Sequence, residues 1–117
     1  MKQALATEQA PAAIGPYSQG IAAGETVYVS GQLPLDPATG AFPEGIAAQT
    51  AQSLKNIQAI LAQQGMTLAN VVKTTVFLAD INDFAEMNKV YGEFFTQPYP
   101  ARSAVQVAKL PKDAPLL

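Results

Sequence analysis

Val71-Val72-Lys73-Thr74-Thr75-Val76-Phe77-Leu78-Ala79 is the run that decides how this chain is laid out. It is rich in β-branched residues, which suit a pleated surface, and it carries one charge, so it reads as a strand. Helical spacing flanks it on both sides. Upstream, between Gly45 and Gln64, Thr50, Leu54, Ile57 and Leu61 form one stripe, widened by Ala47, Ala51 and Ile60. Gly65 follows as a residue suited to stop that helix. Downstream, Asp83 and Glu86 stand as an Asp-x-x-Glu capping pair that opens a second helix to about Phe95. Its apolar stripe is Phe84, Met87, Tyr91, Phe94 and Phe95.

Past the turn Gln97-Pro98-Tyr99-Pro100, the chain reads as a strand again from Ala101 to Ala108. Pro100 precedes it, where a missing N–H does no harm. Arg102, Ala104, Gln106 and Ala108 alternate with Ser103, Val105 and Val107, so the two sets face opposite ways. Toward the N-terminus, residues 3–7 are a candidate edge strand, and a Pro- and Gly-punctuated loop follows. Strands over Ser18–Ala23 and Thr26–Ser30 are joined by a hairpin turn at Gly24-Glu25. Asp36-Pro37-Ala38-Thr39-Gly40 is a turn, and Leu110 to Leu117 reads as a loop. The order β, β-hairpin, α, β, α, β predicts one α+β domain over residues 1–117, a mixed sheet with two helices on one face. Two helices cannot cover both faces of such a sheet. The strands carry few charges on either face, so other subunits are expected to cover the second.

Composition points the same way. Of 117 residues, 49% are hydrophobic and 14% charged, against about 25% charged in an ordinary soluble domain. There is no cysteine and no histidine. That removes thiol nucleophiles, disulfides, Cys/His metal sites and every mechanism needing an imidazole. Acid–base chemistry must come from Asp, Glu, Lys, Tyr, backbone or water. A net charge of −2 gives no basic footprint and argues against nucleic acid as partner. No apolar run approaches the ~20 residues of a membrane span, and the N-terminus has no secretory core. A cytoplasmic protein without membrane contact is expected.

Arg102 is the only arginine in the chain. Its guanidinium could clamp a carboxylate through two parallel hydrogen bonds, or could serve a structural ion pair with Asp or Glu. Asn88 lies on the flank of the second helix's apolar stripe, where its amide needs partners; backbone groups would satisfy it equally. Tyr17 sits in a Gly-Pro-Tyr-Ser loop, as a ligand contact or as an ordinary packed ring. Ser30 could donate to a ligand, and Gly31 would let that ligand approach the backbone, although both also suit a strand end. Asp80 and Asp83 fit a helix start better than a metal. A Ser103–Lys73 pair has no support in the spacing, and no phosphate loop is present.

Five segments then occur in order: Ile14-Gly15-Pro16-Tyr17-Ser18-Gln19, Val29-Ser30-Gly31-Gln32-Leu33-Pro34 with Thr39-Gly40, Val72-Lys73-Thr74-Thr75-Val76-Phe77-Leu78 leading to Asn82-Asp83-Phe84, Asn88-x-x-Tyr91-x-x-Phe94-Phe95, and Pro100-Ala101-Arg102-Ser103. Together they closely resemble the RidA (YjgF) reactive-intermediate deaminase family over essentially the whole chain. The resemblance implies a chorismate-mutase-like α+β fold and a homotrimer, with the sheets forming a central barrel and clefts between subunits. It implies hydrolysis of 2-iminobutanoate and 2-iminopropanoate to 2-keto acids and ammonia, with no cofactor. It also implies that Arg102 holds the substrate carboxylate while Tyr17, Ser30, Gly31, Phe84 and Asn88 line the cleft.

Two departures shape that expectation. Ala104 stands where the family often has Cys, so a catalytic role there must come from its backbone or its small size. Family members also continue past the Leu-Pro-Lys-Asp loop into a strand reading like Glu-Ile-Glu-Ala, whose first Glu orients the attacking water. That strand is expected to be missing from residues 1–117. A non-catalytic binder of small carboxylates, or a chaperone-like trimer, is therefore the alternative reading, with endoribonuclease activity less favoured.

Overall fold

In a computed structural model, residues 1–117 form β1 (Lys2–Leu5), β2 (Gly20–Ala23), β3 (Thr26–Val29), α1 (Ile46–Ala62), β4 (Lys73–Leu78), α2 (Phe84–Phe94) and β5 (Ala101–Gln106). Every expected helix and strand is present; β1 starts one residue earlier than expected and ends two earlier, and the others are trimmed at one or both ends. The hairpin turns at Gly24-Glu25: Ala23 pairs with Thr26, and Gly24 adopts φ +61°, which favours glycine. α1 stops as expected, with Gly65 at φ +68° and the Met66 N–H donating back to the Leu61 carbonyl at 3.1 Å.

The strands form two ladders rather than one continuous sheet. β1, β2 and β3 are antiparallel neighbours, and β4 pairs parallel with β5, placing Thr74 opposite Arg102. α2 is the crossover between β4 and β5. The Leu110–Leu117 tail is not wholly a loop, as its sequence suggested. Phe77 and Leu117 exchange backbone hydrogen bonds of 2.9 Å, and the Ala79 N–H donates to the Pro115 carbonyl at 2.9 Å. The edge of β4 away from β5 would otherwise leave its N–H and C=O groups unpaired. Leu117 also fills the space beside β3, because a Cβ built on Gly31 would lie 2.9 Å from Leu117 Cδ2.

The helices share a core with the inner face of β4. Leu54 and Leu61 from α1 meet Met87 and Tyr91 from α2, with Phe95, Val76, Leu78, Leu68 and Leu116. A smaller cluster of Leu5, Ala10, Ala22 and Ile60 closes the other ladder. The buried side of α1 departs from the expected stripe: Ala47 is exposed, and Ser53 and Asn56 are buried. Asn56 explains the rotation. Its Nδ2 donates to the carbonyls of Leu33 (3.2 Å) and Leu35 (2.9 Å), and its Oδ1 accepts from Gln52 Nε2 at 2.9 Å. The amide latches the loop after β3 to the helix, a role that apolar periodicity does not register.

Capping also differs from expectation. Asp83 makes no side-chain cap and already has helical φ/ψ. Asp80 supplies the cap instead, its Oδ1 accepting from the Asn82 N–H at 2.9 Å to start the short 3₁₀ turn Ile81–Asp83. The outer faces of the strands carry Thr26, Tyr28, Lys73, Thr75, Ser103 and Val105, all exposed. No helix is long and apolar enough to cross a membrane.

Candidate functional site

Arg102 projects from β5 onto the helix side of the sheet, where α2 crosses above it. Phe84, Asn88 and Tyr91 are spaced by four and three residues, so they lie on one face of α2. All three meet the guanidinium. Its Nη1 donates to Asn88 Oδ1 at 2.7 Å, and Cζ lies 4.7 Å from the Tyr91 ring centroid and 5.4 Å from that of Phe84. Both aromatic faces attract the cation. The Nε and Nη2 edge has no partner within the chain.

Within the chain, Arg102 makes no structural ion pair. No Asp or Glu reaches it, and the chain's single ion pair joins Lys109 to Asp113, 3.2 Å apart. Asn88 is not a buried amide satisfied by backbone either; it is exposed, and its carbonyl oxygen faces the cation. The result is a fixed guanidinium with one edge free, matching the two-oxygen fork of a carboxylate.

Ala104, two residues on, faces the core beside Arg102, but its backbone does not. The N–H groups of Ala101 and Val107 donate to β4 at Val72 and Leu78, at 3.0 and 2.9 Å. In a parallel pair, alternate residues turn N–H and C=O to the same side, so Arg102, Ala104 and Gln106 direct theirs off the free edge of β5. The Ala104 amide thus lies on the unpaired edge of β5.

Tyr17, Ser30 and Gly31 form a second group. Ser30 Oγ donates to the Ser18 carbonyl at 2.6 Å, next to Tyr17, and Gly31 lies against Leu117. The Tyr17 hydroxyl accepts weakly from the Ile14 N–H at 3.4 Å, and its ring is exposed. Tyr17 also borders an open groove of about 520 Å³ beside β1, which contains none of Arg102, Asn88 or Phe84. No hydrogen bond or aromatic contact within one chain joins the two groups. Lys73 Nζ donates to Thr75 Oγ1 at 3.2 Å and does not engage Ser103. Nowhere do three Asp or Glu side chains gather around a possible ion.

In sequence Tyr91 reads as part of the core stripe of α2, and nothing marks Thr74 as a site residue. Their hydroxyls lie 2.7 Å apart, and the Tyr91 ring centroid lies 4.7 Å from Arg102 Cζ. The Asn88-x-x-Tyr91 spacing was the available signal, since it sets both side chains on the face that meets Arg102.

A family model described as Endoribonuclease L-PSP matches residues 7–116. A curated relative from Salmonella typhimurium, named 2-iminobutanoate/2-iminopropanoate deaminase, is 53% identical over 116 residues, covering 97% of this chain and 91% of the relative. The crystal structure of the Escherichia coli YjgF gene product superposes with a TM-score of 0.93 at 50% identity, covering 97% of this chain and 92% of that one. That of Escherichia coli TdcF with bound serine gives 0.93 at 46% identity, with coverage of 97% and 92%.

Proposed function

The chain belongs to the Endoribonuclease L-PSP family, also called the YjgF or RidA family, and from that membership we propose that it hydrolyses short 2-imino acids to 2-keto acids and ammonia. The observation that carries this reading is the guanidinium of Arg102, held by Asn88, Tyr91 and Phe84 with one edge free and no carboxylate of its own chain in reach. A 2-imino acid offers a planar carboxylate to that edge and an electrophilic carbon, C2, beside it. Clamping the carboxylate fixes where C2 stands, and most of the catalysis is this positioning. Water adds its oxygen to C2 and its proton to the imine nitrogen. The tetrahedral carbinolamine then collapses: its hydroxyl proton passes to nitrogen, the C–N bond breaks, the C2 oxygen becomes the ketone, and ammonia leaves. The open Ala104 amide of β5 lies next to the clamp and can donate to the carboxylate or to the developing oxyanion.

The two residue groups meet across copies of the chain in this reading. A homotrimer with the outer sheet faces turned inward, as a barrel, would bring the Tyr17, Ser30 and Gly31 group of one subunit to the Arg102 group of its neighbour. Support comes from the exposed, nearly uncharged outer face and from the unpaired edge of β5. Such a cleft needs neither metal nor organic cofactor. RNA cleavage has little support: the net charge is −2 and there is one arginine to meet phosphates.

The test couples the protein to a threonine dehydratase and traps the released imine with semicarbazide. The protein is expected to lower the trapped signal, and Arg102→Lys to lose most of that effect, because lysine cannot make the two-point clamp. An unaltered signal with the unmodified protein would exclude the activity. Full activity in Arg102→Lys would exclude the anchor.

A further inference from the structure

We infer that Tyr91 and Thr74 are positioning residues for carboxylate recognition, setting the plane and reach of the Arg102 guanidinium through the hydrogen bond between their hydroxyls. The inference rests on the reading of Arg102 as the anchor.

The geometry forms a closed circuit. Arg102 and Thr74 are register partners in the β4–β5 ladder, so their side chains leave adjacent points on the same face. Thr74 Oγ1 lies 2.7 Å from the Tyr91 hydroxyl, and the Tyr91 ring returns to Arg102, its centroid 4.7 Å from Cζ. Asn88, one turn earlier on α2, closes a second circuit through Nη1 at 2.7 Å. The ring fixes the plane of the cation, and the amide fixes its rotation within that plane. What stays open is the Nε and Nη2 edge.

Packing alone does not explain these hydroxyls. Tyr91 is buried and stacks on Phe95 with ring centroids 4.5 Å apart, a contact that phenylalanine would make equally well. Thr74 precedes Val76 and Leu78 on a core-facing side where valine would pack as well. The pair is a polar contact within an apolar layer, and it ties the ring to the strand that neighbours Arg102. A free arginine side chain loses rotamer freedom when a ligand clamps it. Here that loss is taken in the fold, before ligand arrives.

The experiment measures binding of 2-oxobutanoate by calorimetry, with melting temperature in parallel, for Thr74→Val, Tyr91→Phe, the double variant, Thr74→Ser and Arg102→Ala. Thr74→Val and Tyr91→Phe should each weaken binding about three- to tenfold, and Thr74→Ser, which keeps the hydroxyl, should stay within about twofold. The double variant should bind no worse than the weaker single variant, while its melting temperature recovers because neither hydroxyl is left buried alone. Restored stability with weakened binding is a result that a merely structural pair would not give. If Thr74→Val does not fold, Tyr91→Phe, which keeps the ring, decides the matter. Unchanged affinity in both single variants, with binding lost in Arg102→Ala, overturns the positioning role and leaves the anchor standing. Unchanged affinity in Arg102→Ala overturns both.

Discussion

Asn88 grips Arg102 by one edge: its Oδ1 accepts from Nη1 at 2.7 Å, and the Nε and Nη2 edge is left without a partner in the chain. The orientation of the amide is forced, because arginine can only donate. A neutral acceptor at this place steadies the cation without cancelling its charge.

Asn88→Asp should therefore damage binding more than Asn88→Ala does. A carboxylate at that distance would neutralise the guanidinium in advance and repel the substrate's own carboxylate. KM is expected to rise by about tenfold or more for Asn88→Asp, with the fold intact by circular dichroism. An unchanged KM would show that the amide does not share the cation with substrate.

Gly20 and Gly92 should respond to alanine with opposite signs. A Cβ at Gly20 would stand 2.8 Å from Ile60 Cγ2 and 3.2 Å from the Tyr28 carbonyl, and Ile60 is completely buried. Gly20→Ala should cost about 1–3 kcal/mol through overpacking. Gly92, inside α2, has open space where a Cβ would go. Gly92→Ala should stabilise by about 0.5–1 kcal/mol through helix propensity. Urea midpoints of the two variants check both.

The buried polar residues of α1 make a second contrasting pair. Asn56→Ala strips the Leu35 carbonyl of its donor, leaves the Leu33 carbonyl only the Leu35 N–H at 2.8 Å, and should cost about 1–3 kcal/mol, with faster amide exchange along the 33–35 loop. Ser53 Oγ is buried with no hydrogen-bond partner. Ser53→Ala should be neutral or stabilising by up to about 1 kcal/mol. A large loss in Ser53→Ala would mean that its hydroxyl has a partner in the assembled protein.

A charge on the outer strand face should break the assembly. Tyr28 is 66% exposed and Val105 44% exposed, on a face whose other strand residues are mostly uncharged. Tyr28→Glu and Val105→Glu should each shift the protein to monomer in light scattering and reduce deaminase activity with it. An intact oligomer in both variants would place the interface elsewhere.

The element order was legible because each segment repeats a local rule: a 3.6-residue stripe in α1 and α2, β-branched density in β4, and a Gly-Glu turn between β2 and β3. The polar latches were not legible. Asn56 and Gln19 look like surface residues in sequence, yet each is buried. Gln19 ties the loop after β1 at Thr7, Ala10 and Pro11 through its side-chain amide. The backbone atoms they hold lie at least eight residues away, and side-chain identity says nothing about those. Arg102 and Asn88 could be chosen from residue type and helical spacing, whereas Phe84 reads as core and enters the site only through the family resemblance. The Thr74–Tyr91 tether could not, because it depends on the parallel register of β4 and β5, which only the fold fixes. The strand pairing of Leu116 and Leu117 was hidden for a similar reason: Pro111 and Pro115 mark a loop, while the empty edge of β4 recruits the residues beyond.

Arg102 is also a chemical singularity. The chain has one guanidinium, no thiol and no imidazole, and the free edge of that guanidinium points away from its protein partners. A 1,2-dicarbonyl reagent such as phenylglyoxal therefore has one guanidinium to modify per chain, at the place where a carboxylate would bind. The mass increment then counts clefts directly. Protection by a small 2-keto acid would report the occupancy of each one without any assay of turnover.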